Sequence, residues 1–475
     1  MNDLKHVHVV GVCGTLMGAF ASYLKRTGIR VTGSDQNVYP PMSDVLSKAG
    51  VELFSGYSPT NLSQFPVIPD LVVIGNVIPA KNPEAIEARN GRYKVTSLPE
   101  AMEEYFLKLT TNCVVAGTHG KTTTSSLMAF CFEDVGLSPN YFIGGVSVNL
   151  PNSFNVSKLD QGMPFVLEGD EYDTAFWDKV PKFNHYLPDH VILTSVEFDH
   201  ADIYADFAAV ERAFFGLMNR IRPGGHLIAC GDHESVRKVA EKWNGKTLTY
   251  GINAEFCKYT ARDLHFSEDA STFAIYDGAH KIDTVSISLP GTHNVLNALA
   301  VYLELREWGV APEKIRSALQ SFKGVKRRQE IRGEYKGVLI IDDFAHHPTA
   351  VKETLKALRQ RYPKRRIVTV FEPRSATSRR KVFQNDYLRA FSESDLTLIA
   401  TPYDQSKIPE GDQFSSEELV QGLNKSGLKS FGFENVDDGV KALTKECRDG
   451  DLVAVLSNGG FGGFIPKLME QLRTS

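Results

Sequence analysis

Several features that assign a protein quickly are missing from this chain. Its six cysteines (Cys13, Cys113, Cys131, Cys230, Cys257 and Cys447) include no C-x-x-C pair and form no metal-ligand spacing. That argues against a disulfide-dense secreted scaffold and against a zinc ribbon, and leaves free thiols in a reducing compartment as the expectation. Long hydrophobic runs are absent too. No apolar stretch reaches ~18 residues, and the opening "MNDLKHVHVVGVCG" passes into a strand with no signal-peptide pattern. No membrane association is expected, and the expected location is the cytoplasm. Charge of one sign is lacking: 53 Lys and Arg stand against 57 Asp and Glu, a net −4. The short basic clusters at 325–332 and 364–367 read as solvated surface or small anion sites, so no nucleic-acid partner is expected. There is no heptad array, short-period repeat or low-complexity tract.

What the chain does have is length and alternation. Its 475 residues suggest about three domains at roughly 100–200 residues each. "HVHVVGV", "CGTLMGAFASYLKRTG" and "IRVTGSD" read strand, helix, strand, with glycines at the first β-to-α turn. A linker rich in polar residues and proline (80–100) precedes a short helix, which places a boundary near 109. A second α/β unit opens with "NCVVAGTHGKTTTSSLMAFCFEDVG", and "PFVLEGD" and "HVILTSVEFD" are further apolar strands. Residues 245–290 read as short alternating strands, a small antiparallel appendage. A third alternation starts near 325 with "VLIIDDFAHHPTAV". The expected architecture is α/β in three consecutive domains: 1–109, 110–324 and 325–475. The outer two are Rossmann-like and the central one is a mostly parallel P-loop-type ATPase domain.

The segment "VVAGTHGKTTTSS" resembles a phosphate loop with its first glycine replaced by Val115. Gly117, Thr118, His119 and Gly120 lie between an apolar strand and a helix opened by Lys121, Thr122 and Thr123. Backbone N–H groups at such a turn hold phosphate oxygens, a lysine neutralises them, and a hydroxyl at position 122 suits Mg²⁺. Glu168, Asp170, Glu171 and Asp173 crowd the end of the next strand, where clustered acids need a cation. Glu197, Asp199 and His200 end another. Asn294 and Asn297 stand one helical turn apart, readable as base-binding amides or as a cap and a surface amide. Asp342, Asp343, His346 and His347 follow a third-domain strand, with Arg327 and Arg328 ahead of it. In the first domain Gly11, Gly14 and Gly18 have the wrong spacing for an NAD fingerprint. With Asp35 at the second strand end they still suit a dinucleotide or a nucleotide sugar.

Taken in order, "GTHGKTTT", "EGDEYD", "EFDHADIY", "GTHNVLN", "RRQE" and "DDFAHHPT" resemble the Mur ligase family, ATP-dependent ligases that add amino acids or peptides to UDP-N-acetylmuramic acid. The resemblance covers essentially the whole chain. It implies a UDP-sugar site in the first domain at Gly11, Cys13, Gly14, Thr15, Met17, Gly18, Ser34, Asp35 and Asn76. It implies ATP contacts from residues 117–123, Asn294, Arg327 and Asp343, with Mg²⁺ held by Thr122, Glu168 and His200. Lys121, Glu168 and His200 are implied in catalysis, and closure of two domains on ATP is expected. Within the family, "GSDQNVYPPMS" (33–43), "EFDHADIY" and "SNGGFGGF" (457–464) resemble the branch that attaches the murein tripeptide L-alanyl-γ-D-glutamyl-meso-diaminopimelate to UDP-N-acetylmuramate. The branch that attaches L-alanine carries a histidine–arginine pair where this chain has Arg374 and Ser375. His347 and Arg374 are the implied acceptor contacts. Several family members use a carbamylated lysine downstream of the histidine matching His200; this chain has no lysine between His200 and Lys238, so none is expected here. The sequence leaves oligomeric state open.

Overall fold

Residues 3–38 and 42–474 are described by the computed structural model of the protein. Tyr39, Pro40 and Pro41 of the 33–43 segment lie outside the described residues. The chain divides into two compact units. One comprises Met1–Glu197, Ala208–Thr260 and Ala300–Ala318; the other comprises Phe198–Phe207, Ala261–Leu299 and Leu319–Ser475.

Besides a two-stranded antiparallel ribbon, Asp173–Ala175/Asp178–Pro181, the first unit carries two main sheets. One has five parallel strands in the order Glu52–Ser55, Arg30–Asp35, His6–Val10, Leu71–Ile74 and Val95–Ser97. Its central strand is buried at every position, as a strand covered on both faces requires. The expected linker is corrected here. Residues 80–100 contain a helix, Pro83–Arg89, and the edge strand Val95–Ser97. Local capping outweighs polar composition. Asn82 accepts hydrogen bonds from the N–H groups of Glu84 and Ala85, and a Ser97–Glu100 capping box starts the helix Leu98–Tyr105.

In the second sheet the strands of this unit run Lys246–Gly251, His226–Cys230, His190–Leu193, Thr111–Ala116, Pro164–Gly169, Asn140–Phe142 and Phe154–Asn155. All pairs are parallel except the last. The register sets Ala116 beside both Leu193 and Gly169, so three carboxyl ends finish level. Lys246–Gly251, expected in the antiparallel appendage, belongs to this parallel sheet. It follows a crossover through the helix Glu234–Ala240, and such a connection returns the chain parallel.

The second unit holds the antiparallel hairpin Ser271–Asp277/His280–Ile287. It also holds a six-stranded sheet ordered Glu330–Tyr335, Val338–Asp343, Leu452–Leu456, Ile367–Phe371, Leu396–Ala400 and Ser430–Phe433. Only its first pair is antiparallel. Alternate side chains feed separate cores. Leu339 and Ile341 pack with Val351, Leu355 and Tyr387, whereas Val338 and Ile340 pack with Val368, Phe464 and Leu468. Among the described residues no helix is long and apolar enough to cross a membrane.

Candidate active site

The strand Thr111–Ala116 ends one residue before Gly117, and the helix Lys121–Asp134 begins directly after Gly120. The phosphate loop is therefore four residues long. Val115 needs no glycine's freedom because it is ordinary strand, paired with Glu168. Gly117 cannot be replaced without strain: its φ is 139°, and a Cβ would lie 2.1 Å from Thr194 Oγ1. Gly120 is left-handed at φ 82° and leads into the helix with no side chain capping its N-terminus. The macrodipole and the first-turn amides thus point to the place where an anion is expected.

The loop is braced by the end of the neighbouring strand. The N–H of Thr118 donates to the carbonyl of Ser195 (3.1 Å), and that of His119 donates to Ser195 Oγ (2.9 Å). Thr118 Oγ1 exchanges bonds with the backbone of Glu197, and Thr194 Oγ1 donates to the carbonyl of His119. Thr194 and Ser195 carry no motif of their own, so the sequence reading missed them. Their only signal is adjacency to "EFDH".

Lys121 is buried, and its Nζ donates to the carbonyl of Gly117 (2.8 Å) and to Glu171 Oε2 (2.7 Å). Burial disfavours its charge, but Glu171, Asp170 and Glu168 outweigh that and hold the ammonium above its ordinary pKa. Thr122 Oγ1 donates to Glu168 Oε1 at 2.6 Å, and the N–H of Gly144 donates to Glu168 Oε2 at 2.6 Å. Burial and nearby Asp170 push the Glu168 carboxyl up in pKa; Thr122, Lys121 and Gly144 oppose this. Asp170 is buried with Lys182 at 3.4 Å. The Tyr186 hydroxyl is buried without a hydrogen-bond partner, and its ionisation is disfavoured by that burial first and then by Asp170 and Glu168. A hydroxyl and a carboxylate, both hard oxygen donors, thus meet among three buried acids and two lysines. That donor set fits Mg²⁺. Gly144 and Lys182 had no sequence signal beyond glycine and lysine themselves.

The UDP-sugar candidates cluster at the amino end of the helix Thr15–Arg26, which Gly14 precedes with no side-chain cap. Asp35 shapes the turn: Oδ2 accepts from the N–H of Cys13 and Oδ1 from that of Asn37, both at 3.0 Å. Burial and Asp35 push the Cys13 thiol up to about 11. Gly18 packs under Met42: a Cβ there would lie 2.7 Å from its sulfur and 3.1 Å from the carbonyl of Val12, so Met42 would have to shift. Met17 is buried, Thr15 exposed, and Asn76 half-buried in the turn after Leu71–Ile74. Ser34 is committed inside the fold, its hydroxyl donating to Glu84 (2.7 Å) and its carbonyl accepting from Gly11 and Val12.

The remaining candidates lie in the second unit. His200 adopts φ 56°, and its N–H donates to Asp199 Oδ1 (2.7 Å) and Thr377 Oγ1 (3.1 Å). Thr377 in turn donates to Asp199 Oδ1 at 2.7 Å. Burial would raise the Asp199 pKa, but His200, His346, His347 and Thr377 hold it well below the usual carboxylate range. Thr377 stands in "FEPRSATSRR" and was not singled out by the sequence. Asn294 and Asn297 are both buried. Asn294 Nδ2 donates to the carbonyl of Pro290 and its Oδ1 accepts from Asn297 Nδ2, so neither is the surface amide that spacing allowed. Asp343 is buried and accepts from the N–H groups of Gln329 and Ala345 (2.7 Å each). Arg327 donates to the carbonyls of Ser457 and Gly459 and lies over Phe344. His347 caps the helix Pro348–Arg361 through Nδ1. Arg374 stacks on Tyr403 at 3.8 Å and approaches Glu372 at 3.3 Å.

Comparison with known proteins matches three consecutive segments of the chain. Residues 6–108 match the model described as "Mur ligase family, catalytic domain", residues 115–304 the Mur ligase middle domain, and residues 327–459 the "Mur ligase, glutamate ligase domain". The chain is 39% identical over 473 residues, 98% of each chain, to the UDP-N-acetylmuramate–L-alanyl-γ-D-glutamyl-meso-2,6-diaminoheptandioate ligase of Escherichia coli K12. It is 33% identical to the UDP-N-acetylmuramate–L-alanine ligase of Oleidesulfovibrio alaskensis, over 95% of this chain and 96% of that one. The crystal structure of a murein peptide ligase from Psychrobacter arcticus superposes with a TM-score of 0.73 at 31% identity, covering 99% of both chains. Full-length identity at this level, together with the three matched domains, establishes that the chain belongs to the Mur ligase family.

Proposed function

We propose that the protein is an ATP-dependent carbon–nitrogen ligase that joins L-alanyl-γ-D-glutamyl-meso-diaminopimelate to UDP-N-acetylmuramate, a reaction of peptidoglycan recycling. The observation that carries this reading is the Lys121–Thr122–Glu168 constellation at an uncapped helix N-terminus, in a chain 39% identical from end to end to a ligase of that name.

In this reading the muramate lactyl carboxylate attacks the γ-phosphorus of ATP, the bond to the β-phosphate oxygen breaks, and ADP leaves. The tripeptide's amino nitrogen then attacks the carbonyl carbon of the acyl phosphate. A C–N bond forms, the amine proton is lost, and phosphate is expelled from the tetrahedral intermediate. Thr122 and Glu168, with His200 as a further ligand, would hold Mg²⁺, which would neutralise the phosphate charge. Lys121 must leave Glu171 to face the phosphates, and the amides of residues 117–123 orient them. Asn294, Arg327 and Asp343 are proposed for the adenine, phosphates and ribose. In the first domain, Gly11, Cys13, Gly14, Thr15, Met17, Gly18, Asp35 and Asn76 are proposed to hold the UDP-sugar, with Ser34 shaping the turn from beneath. We also propose the domain limits 1–109, 110–324 and 325–475.

For the acceptor, Arg374 and His347 are proposed contacts. An arginine suits the several carboxylates of the tripeptide, where L-alanine offers only one. Phosphate release from ATP plus UDP-N-acetylmuramate, measured with tripeptide or with L-alanine, tests the assignment. Turnover with the tripeptide and not with alanine is expected; turnover with alanine alone would place the chain in the alanine-adding branch.

A further inference from the structure

At the amino-terminal edge of the sheet that carries the phosphate loop, three neighbouring parallel strands bring ligand-type side chains into register. Cys113 pairs with His190, and His190 with His226. Glu304, from the helix Thr292–Glu307, enters this group fully buried. Its Oε1 lies 2.6 Å from His190 Nδ1, 2.8 Å from Trp308 Nε1 and 3.5 Å from Cys113 Sγ, and its Oε2 lies 2.9 Å from His226 Nε2. Cys113 Sγ is 3.8 Å from His190 Nδ1. The two imidazoles stack with centroids 3.9 Å apart. The proposed ligation reaction uses none of these residues.

We propose that Cys113, His190 and Glu304 form a binding site for a borderline-soft divalent cation of the zinc class. A thiol, an imidazole and a carboxylate converging on one point are the donor types such an ion selects. Tetrahedral bonds of ~2.3 Å to sulfur and ~2.0–2.2 Å to nitrogen and oxygen require S···N and S···O edges of roughly 3.5 Å and an N···O edge of roughly 3.4 Å. The two sulfur edges, 3.8 and 3.5 Å, already stand near that spacing. The 2.6 Å nitrogen–oxygen edge is closed by the proton that His190 shares with Glu304. It must open by roughly 0.8 Å when a cation replaces that proton. Binding to the imidazolium form releases one proton from Cys113 and one from His190 Nδ1 to solvent. The thiolate, neutral imidazole and carboxylate then offset both charges of the ion. Trp308 and His226 continue to orient the carboxylate from outside. His190 is partly exposed and provides the route of entry. The hydrogen-bonded cluster is satisfied as it stands, so the fold does not depend on the ion.

Cobalt is the probe. Full-length protein freed of metal by chelation is titrated with Co²⁺ in excess Mg²⁺, which the oxygen-rich Thr122–Glu168 pair prefers and this set does not. The expected result is one equivalent of Co²⁺ giving a thiolate charge-transfer band that Zn²⁺ abolishes. The band is lost in Cys113→Ser, and binding weakens by about tenfold or more in His190→Gln, whose partly exposed position tolerates the change. Absence of the band in the unaltered protein overturns the proposal. So does the same band in Cys113→Ser, which would assign it to another cysteine, or unchanged affinity in His190→Gln.

Discussion

Replacing Lys121 separates what the phosphate-loop lysine does for the fold from what it does for the reaction. Its side chain and that of Glu171 are 8% and 3% exposed, with Nζ and Oε2 2.7 Å apart. Removing one member of such a pair strands the other charge in a medium that solvates it poorly, at a cost of ~3–5 kcal/mol. Asp170 keeps Lys182 at 3.4 Å and Glu168 keeps its bonds from Thr122 and Gly144, so the loss falls mainly on Glu171 and the lower end, about 3 kcal/mol, applies. For a domain of roughly 200 residues each kcal/mol moves the thermal midpoint by ~2–4 °C, so Lys121→Met should fall by ~6–12 °C. The double variant Lys121→Met/Glu171→Gln removes both buried charges and should return to within about 1 kcal/mol of the parent. Its activity should not return. The ammonium offsets charge that develops on the transferred phosphoryl group, and losing such a group costs on the order of 10²–10³-fold in kcat. Thermal denaturation and phosphate release on the parent, both single variants and the double variant complete the cycle. A double variant that stays as unstable as Lys121→Met refutes the ion-pair argument; one that regains kcat refutes the catalytic one.

Gly117→Ala sets a Cβ 2.1 Å from Thr194 Oγ1 in a backbone conformation that side chains avoid. A cost of ~2–3 kcal/mol is expected at the loop. It should appear as weakened ATP binding in nucleotide titrations with UDP-sugar binding retained; parental ATP affinity would contradict the loop geometry. Thr377→Val removes the hydroxyl that bonds both Asp199 and the His200 N–H. A fall in kcat of about tenfold or more is expected with the thermal midpoint nearly unchanged, and an unaltered kcat would dismiss Thr377 as a positioning residue. Stability should also depend on pH through Glu304. Glu304 and its neighbours raise the His190 pKa against burial, and a raised base contributes fully below its ordinary 6.5 and loses that contribution as pH climbs through the raised value. The Glu304 pKa is depressed by His190 and His226 despite burial, so its contribution is present above its ordinary 4.5 and lost as pH falls through the depressed value. Thermal midpoints of the parent should therefore decline above about pH 6.5, with a flatter profile in Glu304→Gln; parallel profiles would remove Glu304 as the cause.

Much of the fold was legible because parallel sheets write themselves as apolar runs with glycine turns at their carboxyl ends, as at "HVHVVGV" and "NCVVAGTHG". The misreadings came where a local signal overrode composition or where strand direction mattered. Polar residues 80–100 looked like a linker, yet Asn82 and the Ser97–Glu100 box cap two helices there. "KTLTYG" alternates like an antiparallel strand, but direction is set by the crossover before it, which periodicity does not encode. At the site, the motif residues were visible as chemical types, while the groups that aim them were not. Thr194, Ser195, Gly144 and Thr377 are ordinary residues made important by distance alone.

The sequence by itself determined the class of chemistry. A glycine loop with lysine and threonines, acids at a strand end and a family order of motifs are properties of residue identity and spacing, and they survive without coordinates. Tertiary structure decided how those groups are spent. It shortened the loop to four residues by extending strand through Val115, and it gave Lys121 to Glu171 and Thr122 to Glu168. It also turned Asn294, Asp343 and Ser34 inward. It brought Cys113, His190, His226 and Glu304 together, although 191 positions separate Cys113 from Glu304. Parallel register across three strands makes such a convergence, and register is a property of the folded sheet that no local stretch of sequence contains.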